Sequence, residues 1–206
     1  MDEGIFKFLK YVAIVLVLVW IGWTVFDSFF LERIPGNTAY QEGDIFFQDG
    51  EYEQALRKYE TALEAQSDAP HYVRAKARTL MQLGQHEEAL GRHEKAMGRY
   101  EEALQWFNQA VELRPFFGGT YANRGILLDR MGEYEKAVAD YEKAIQLDET
   151  VAEGPHWLIR FLRNQPEPPP TVADRLAYLK QEMAKPESER VLRVPEEDEK
   201  QRTYKK

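Results

Sequence analysis

Residues able to do chemistry are few in this chain. His86-Glu87 begins like the helix of a zinc protease, but Leu90 stands where the second histidine would have to be. His86 and His93 are seven residues apart, two helical turns along one face, whereas a metal needs closer ligands and usually a third. The pairs Glu87-Glu88 and Glu101-Glu102 are adjacent on a helix and point in different directions, so neither makes an acid/base dyad. There is no cysteine, which removes disulfides, thiolate zinc sites and cysteine nucleophiles together. There is no glycine-rich phosphate loop, and no nucleophile with a base beside it. The sequence therefore predicts no catalytic, cofactor-binding or metal-ligating residues, and a protein that is not an enzyme. What remains is Arg74 and Arg78, four apart on one helical face. Two guanidiniums so placed can grip a carboxylate bidentately. The competing use is an ion pair with a neighbouring acid such as Asp44, or simple solvation.

The elements that would carry such residues fall into three parts, expected at 1–33, 37–164 and 165–206. The first is apolar. From Tyr11 to Phe26 there is no charged residue, and Ile5, Phe6, Phe8 and Leu9 before it, with Phe29, Phe30 and Leu31 after it, extend the run toward the roughly 20 residues a bilayer core needs. Lys7 and Lys10 can reach the headgroups, and Trp20, Trp23, Phe29 and Phe30 cluster where an aromatic belt would sit. A cleaved signal peptide would want small residues there, so an uncleaved anchor is expected. Lys7 and Lys10 precede the span and Arg33 alone follows closely, so the positive-inside rule puts the N-terminus in the cytoplasm. In a bacterium the remainder would then be periplasmic, on a single-pass protein of the inner membrane. The formal net charge of -8 argues against a nucleic-acid partner, because phosphate binding needs a basic face.

Residues 37 to 148 repeat. Gly50 opens GEYEQALRKYETALEA, Gly84 opens GQHEEALGRHEKAM, Gly98 opens GRYEEALQWFNQAVELRP and Gly132 opens GEYEKAVADYEKAIQLD. The steps from Gly50 to Gly84 and from Gly98 to Gly132 are both 34 residues. These segments resemble tetratricopeptide (TPR) repeats. One match runs through Tyr121, Gly125, Leu128, Gly132, Tyr134, Ala137, Tyr141 and Ala144; another through Gly43, Phe46, Gly50, Tyr52, Ala55, Tyr59 and Ala62; a third, second-helix match through Tyr100, Ala103, Phe107, Ala110 and Pro115. The middle is irregular, since Gly84 and Gly98 are only fourteen apart. Either 85–97 is a separate short helix, the favoured reading, or 86–113 is one long helix in which Gly91 and Gly98 each cost about 1 kcal/mol relative to alanine.

The resemblance implies an all-α fold, an α-solenoid of antiparallel helix pairs, which would follow the transmembrane helix read from the apolar run. A capping helix around His156–Leu162 and an extended C-terminal tail would follow. In that tail a proline-rich linker at 166–170 leads to a short helix starting at Thr171-Asp174. The resemblance further implies that first helices line a concave groove for a partner's peptide or helix. By position the lining would be Tyr40, Asp44, Phe47 and Gln48, then Arg74, Arg78, Met81 and Gln82, then Ala122, Ile126 and Asp129. The expected partners are proteins, with the membrane engaged through the N-terminal helix and no cofactor. TPR stacks also associate through their end faces, which leaves a homo-oligomer open. The similarity to membrane-anchored bacterial TPR proteins implies a scaffold or adaptor in assembly of a membrane or envelope complex. The alternative is a permanent accessory subunit, suggested by a tail with no role in a solenoid.

Overall fold

The computed structural model describes residues 3–30, 34–153, 169–194 and 203–204. Helix α1, Glu3–Phe30, is apolar all round, and every side chain described on it is exposed. At 1.5 Å per residue its 28 residues extend about 42 Å. Its stretch Lys7–Phe26, with a mean hydropathy of 2.1, is long and apolar enough to cross a membrane, a test that an N-terminal signal sequence also passes.

Six helices then form three antiparallel hairpins: α2 (Asn37–Gln48) with α3 (Tyr52–Ala65), α4 (Pro70–Ala89) with α5 (His93–Leu113), and α6 (Gly118–Arg130) with α7 (Tyr134–Leu147). Each second helix buries residues at helical spacing, such as Ala55, Tyr59 and Ala62 on α3 and Ala137, Tyr141 and Ala144 on α7. Successive hairpins stack, α3 on α4 and α5 on α6. The largest core runs through Leu80, Met81, Ala103, Phe107, Ala122, Leu127 and Tyr141 to Leu179.

The turns correct the sequence reading. Each hairpin ends its first helix on a glycine with positive φ: Gly50 at 80°, Gly91 at 72° and Gly132 at 81°. At Gly91 the amide of Arg92 bonds to Glu87 O and that of Gly91 to Glu88 O, both at 2.9 Å, the paired bonds of a Schellman motif. The same two bonds close the turns at Gly50 and Gly132. Gly84 and Gly98, expected to open segments, are interior to α4 and α5. Neither reading of the middle region stands: the chain breaks at 90–92, between two long helices. The true register is 41 residues. Gly43, Gly84 and Gly125 share it, as do Ala55, Ala96 and Ala137, and Tyr59, Tyr100 and Tyr141. The middle helices, of 20 and 21 residues, exceed the other four by about two turns each, roughly 10 Å along the axis.

In that register Gly84 has a packing role. A Cβ on Gly43 would lie 2.7 Å from the Tyr59 ring, one on Gly125 would lie 2.7 Å from Tyr141, and one on Gly84 would overlap Tyr100. The absent side chain is what lets each tyrosine lie across the facing helix.

After Leu147 a short 3₁₀ turn, Glu149–Ala152, buries Val151. The capping helix expected around His156–Leu162 lies outside the described residues. Helix α8, Val172–Met183, begins with a full capping box between Thr171 and Asp174, as the sequence suggested, and packs on α7 and the 3₁₀ turn. A further 3₁₀ turn, Glu187–Glu189, follows it.

Candidate partner-binding face

The first helices α2, α4 and α6 stand next to one another, and a carboxylate recurs on each beneath a tyrosine of its own second helix. The Tyr59 hydroxyl donates to Asp44 at 2.7 Å, Tyr100 to Glu88 at 2.8 Å and Tyr141 to Asp129 at 3.1 Å. Burial, and then the carboxylate beside each, push the Tyr59 and Tyr100 phenols well above their ordinary range, so both stay protonated as donors. An arginine from the next element completes each group. Arg78 of α4 lies 3.7 Å from Asp44, and Arg130 of α6 lies 3.9 Å from Glu88. Arg175 of α8 binds Asp129 through two bonds of 2.7 Å. Helix α8 thus stands where a further first helix would stand and supplies the arginine expected there.

At the α2–α4 end the charge balance is reversed. Arg74 stacks 4.2 Å above the Phe117 ring, and Arg78 stacks 4.2 Å above Phe47. Among the described residues Arg74 makes no ion pair, and its Nη1 is buried without a hydrogen-bond partner, as is Nε of Arg78. Burial lowers the Arg74 pKa; Tyr40 works against that, while Arg114 and Arg78 add to the lowering. His71, edge-on to Tyr40 with ring centroids 5.1 Å apart, is lowered from 6.5 by burial and then by Arg74 and Arg114. The arrangement is a cationic, aromatic-walled site with unspent donors. A carboxylate is the group whose entry would lower its energy most, by pairing a partly desolvated charge.

Models of the tetratricopeptide repeat match residues 40–97, 90–117 and 120–151. The chain carries tetratricopeptide repeats. Among solved structures, the first TPR of Spaghetti (RPAP3), bound to the HSP90 peptide SRMEEVD, is 17% identical, covering 76% of this chain and 99% of that one with a TM-score of 0.53. The first TPR domain of human RPAP3 is 19% identical over 71% of this chain and 95% of that one, TM-score 0.49. The Sgt2 TPR domain from Aspergillus fumigatus is 19% identical over 73% and 85%, TM-score 0.48. At such identities the Spaghetti likeness establishes the fold alone. No curated protein matches the chain.

The three TPR units place the residues predicted for the groove in two groups. Tyr40, Asp44, Phe47, Arg74 and Arg78 come together between α2 and α4, with Gln48 exposed at the end of α2 and Gln82 half-buried on α4. Met81 and Ala122 are fully buried and Ile126 nearly so, all three within the main core, and Asp129 is buried under Arg175. These four present little accessible surface, Met81, Ala122 and Ile126 within the core and Asp129 beneath Arg175; Arg78, 5% exposed, is buried to the same degree as Asp129.

Sequence reasoning missed the partners of these residues. Phe117, Arg114 and His71 build the cationic site, and Asn123, Glu88, Arg175, Arg193 and Tyr204 build the opposite end. Asn123 donates to Tyr204 O and accepts from Tyr204 N, both at 2.7 Å. Arg193 ion-pairs with Glu88. The 41-residue register would have set Glu88 in line with Asp129; nothing in the sequence pointed to Tyr204.

Proposed function

We propose that this protein is a membrane-tethered TPR scaffold that binds an acidic segment of a partner protein at the α2–α4 end of its first-helix face. TPR proteins mediate protein–protein interactions, and the observation that carries the present reading is Arg74. This guanidinium lies partly buried on Phe117, unpaired among the described residues, beside Arg78, Arg114 and His71. Binding an acidic side chain or C-terminus would satisfy donors that the fold leaves open. The Spaghetti TPR shares the fold and is bound to a peptide ending in Glu-Glu-Val-Asp, which supports an acidic ligand here.

Helix α1 supplies the tether. With Lys7 and Lys10 on the cytoplasmic side of an inner membrane, the TPR units would lie in the periplasm, acting in assembly or maintenance of a membrane or envelope complex. A tether confines the solenoid near the bilayer and raises its effective concentration for membrane partners. The rival reading, a permanent accessory subunit, drew on a tail with no evident role. Helix α8 and Leu192 pack on the chain's own repeats, so this part of the tail is held within the chain.

The test is affinity purification of the full-length protein from its membranes in mild detergent, in parallel with an Arg74→Ala variant. Substoichiometric partners with acidic segments, lost in the variant while its melting temperature holds, are expected. Partners retained by the variant would refute the cationic site, and one stoichiometric set surviving sizing would establish the subunit reading instead.

A further inference from the structure

The α4–α6 half of the first-helix face is already covered. After α8 the chain turns back, and residues 191–194 and 203–204 lie on it. Main-chain groups make most of the contacts, with α6 through Asn123 and with the neighbouring α8 through Arg175, Tyr178 and Glu182. Asn123 holds both the N–H and the C=O of Tyr204, Arg175 donates to Leu192 O at 2.9 Å, and Tyr178 donates to Val191 O at 2.6 Å. Glu182 accepts from Val191 N at 2.9 Å. The Tyr204 side chain lines a small cleft with Ile126, Tyr141, Val172 and Arg175, and Arg193 caps Glu88. Side chains that hold an extended chain by its backbone, with one pocket for an aromatic and one acid for an arginine, are how a groove holds a peptide.

The segment differs from the core in how it is held. Val191 is 57% exposed and the Arg193 side chain 60%, while Leu192 and Tyr204 are partly buried against the core. The two acids of the wall keep partners without it, whereas buried Asn123 makes both of its bonds with Tyr204. Glu88 is bonded by Tyr100 with Arg130 at 3.9 Å, and Asp129 by Tyr141 and by Arg175 of α8. A segment held by a few hydrogen bonds on a preformed wall can open locally while the solenoid stays folded.

We infer that the α4–α6 half of the face is a docking surface for an extended segment bearing an arginine and a tyrosine, and that the chain's own residues 191–194 and 203–204 are its resident occupant. A protein partner reaching this half must bring an arginine to Glu88 and displace the occupant, whereas none of the tail's bonds among the described residues reaches the cationic α2–α4 half. The two halves therefore differ both in ligand chemistry and in access.

The experiment uses full-length protein in detergent or nanodiscs and hydrogen exchange of backbone amides. Asn123→Ala changes the wall; Tyr204→Pro removes the same N–H from the occupant and leaves the wall intact. Each is expected to speed exchange across 190–206 at least ten-fold, the double variant no further than either, with amides of α2–α7 and the melting temperature unchanged. A synthetic peptide of residues 190–206 is then expected to bind the Tyr204→Pro protein at least ten-fold more tightly than wild type, and a Glu88→Arg/Tyr204→Pro protein no better than wild type. Amides of 190–206 already unprotected in wild type, or α7 losing protection with them, would overturn the inference. So would a peptide that binds wild type and released protein alike, or neither.

Discussion

The two ends of the first-helix face solve the same electrostatic problem in opposite ways. At the α6–α8 end the carboxylate of Asp129 and the guanidinium of Arg175 are both almost fully buried and meet through two 2.7 Å bonds, with Tyr141 on the same acid. At the α2–α4 end Arg78 stays 3.7 Å from Asp44, and Arg74 finds no acid among the described residues. One end spends its charges on holding an element of its own chain. The other buries Arg78 on Phe47 and keeps Arg74 half-buried on Phe117 with no acid among the described residues. Charge that does not serve the fold is the better candidate for serving a partner.

One substitution made at both ends separates them. Arg175→Met leaves Asp129 buried without its main counter-charge and is expected to cost about 3–5 kcal/mol, read as undocking of α8 and loss of its amide protection. Arg74→Met loses a stacking interaction worth about 0.5–1 kcal/mol but also removes an unpaired, partly desolvated charge. Its melting temperature should barely move, while binding of an acidic peptide falls at least ten-fold. Equal destabilisation at the two sites would abolish the contrast.

The middle hairpin offers a second contrast, between two glycines that looked alike in sequence. Gly84→Ala drives a Cβ into the Tyr100 ring and should destabilise by about 1–3 kcal/mol, less whatever the alanine returns in helix propensity. Gly98→Ala meets nothing within 4 Å on the exposed side of α5 and should stabilise by about 1 kcal/mol. Thermal unfolding of the two variants decides the register directly: a 34-residue register makes both glycines turn positions, and both changes would then destabilise.

That register shows how far the sequence could be read. Repeats, helix pairs, the turns at Gly50 and Gly132 and the start of α8 at Thr171 were all legible, because each is marked by local chemistry: a glycine past a helix end, or a hydroxyl three residues before an acid. The middle was not. Helix α5 carries the second-helix signature twice, as Ala96, Tyr100, Ala103 and as Ala103, Phe107, Ala110, and both sets are buried. Seven residues are nearly two helical turns, so the copies share a face and an alignment accepts either. Only the long partner α4 uses both, Gly84 against the first set and Tyr72 and Val73 near Ala110 of the second. Of the site, Arg74 and Arg78 were visible as a spaced pair. The closure of the far end was not, because it depends on residues 46 to 105 positions apart in the chain: Asp129 with Arg175, Asn123 with Tyr204 and Glu88 with Arg193.

The smallest expected effect comes from pH, and it bears on the open end alone. His71 titrates below its ordinary 6.5, first because it is buried and then because Arg74 and Arg114 repel its charged form. The unfolded chain therefore holds more protons than the folded one just below pH 6.5, so this contribution to stability is intact above that pH and is lost as pH falls. Between pH 7.5 and 5.5 the melting temperature should decline, and His71→Gln should decline less. An acidic partner reverses the local field and restores the imidazolium, so binding should strengthen a few-fold over the same interval in wild type and not in His71→Gln. A pH response unchanged by the substitution would place the titrating group elsewhere, and a partner that binds less tightly at pH 5.5 would mean that no carboxylate approaches His71.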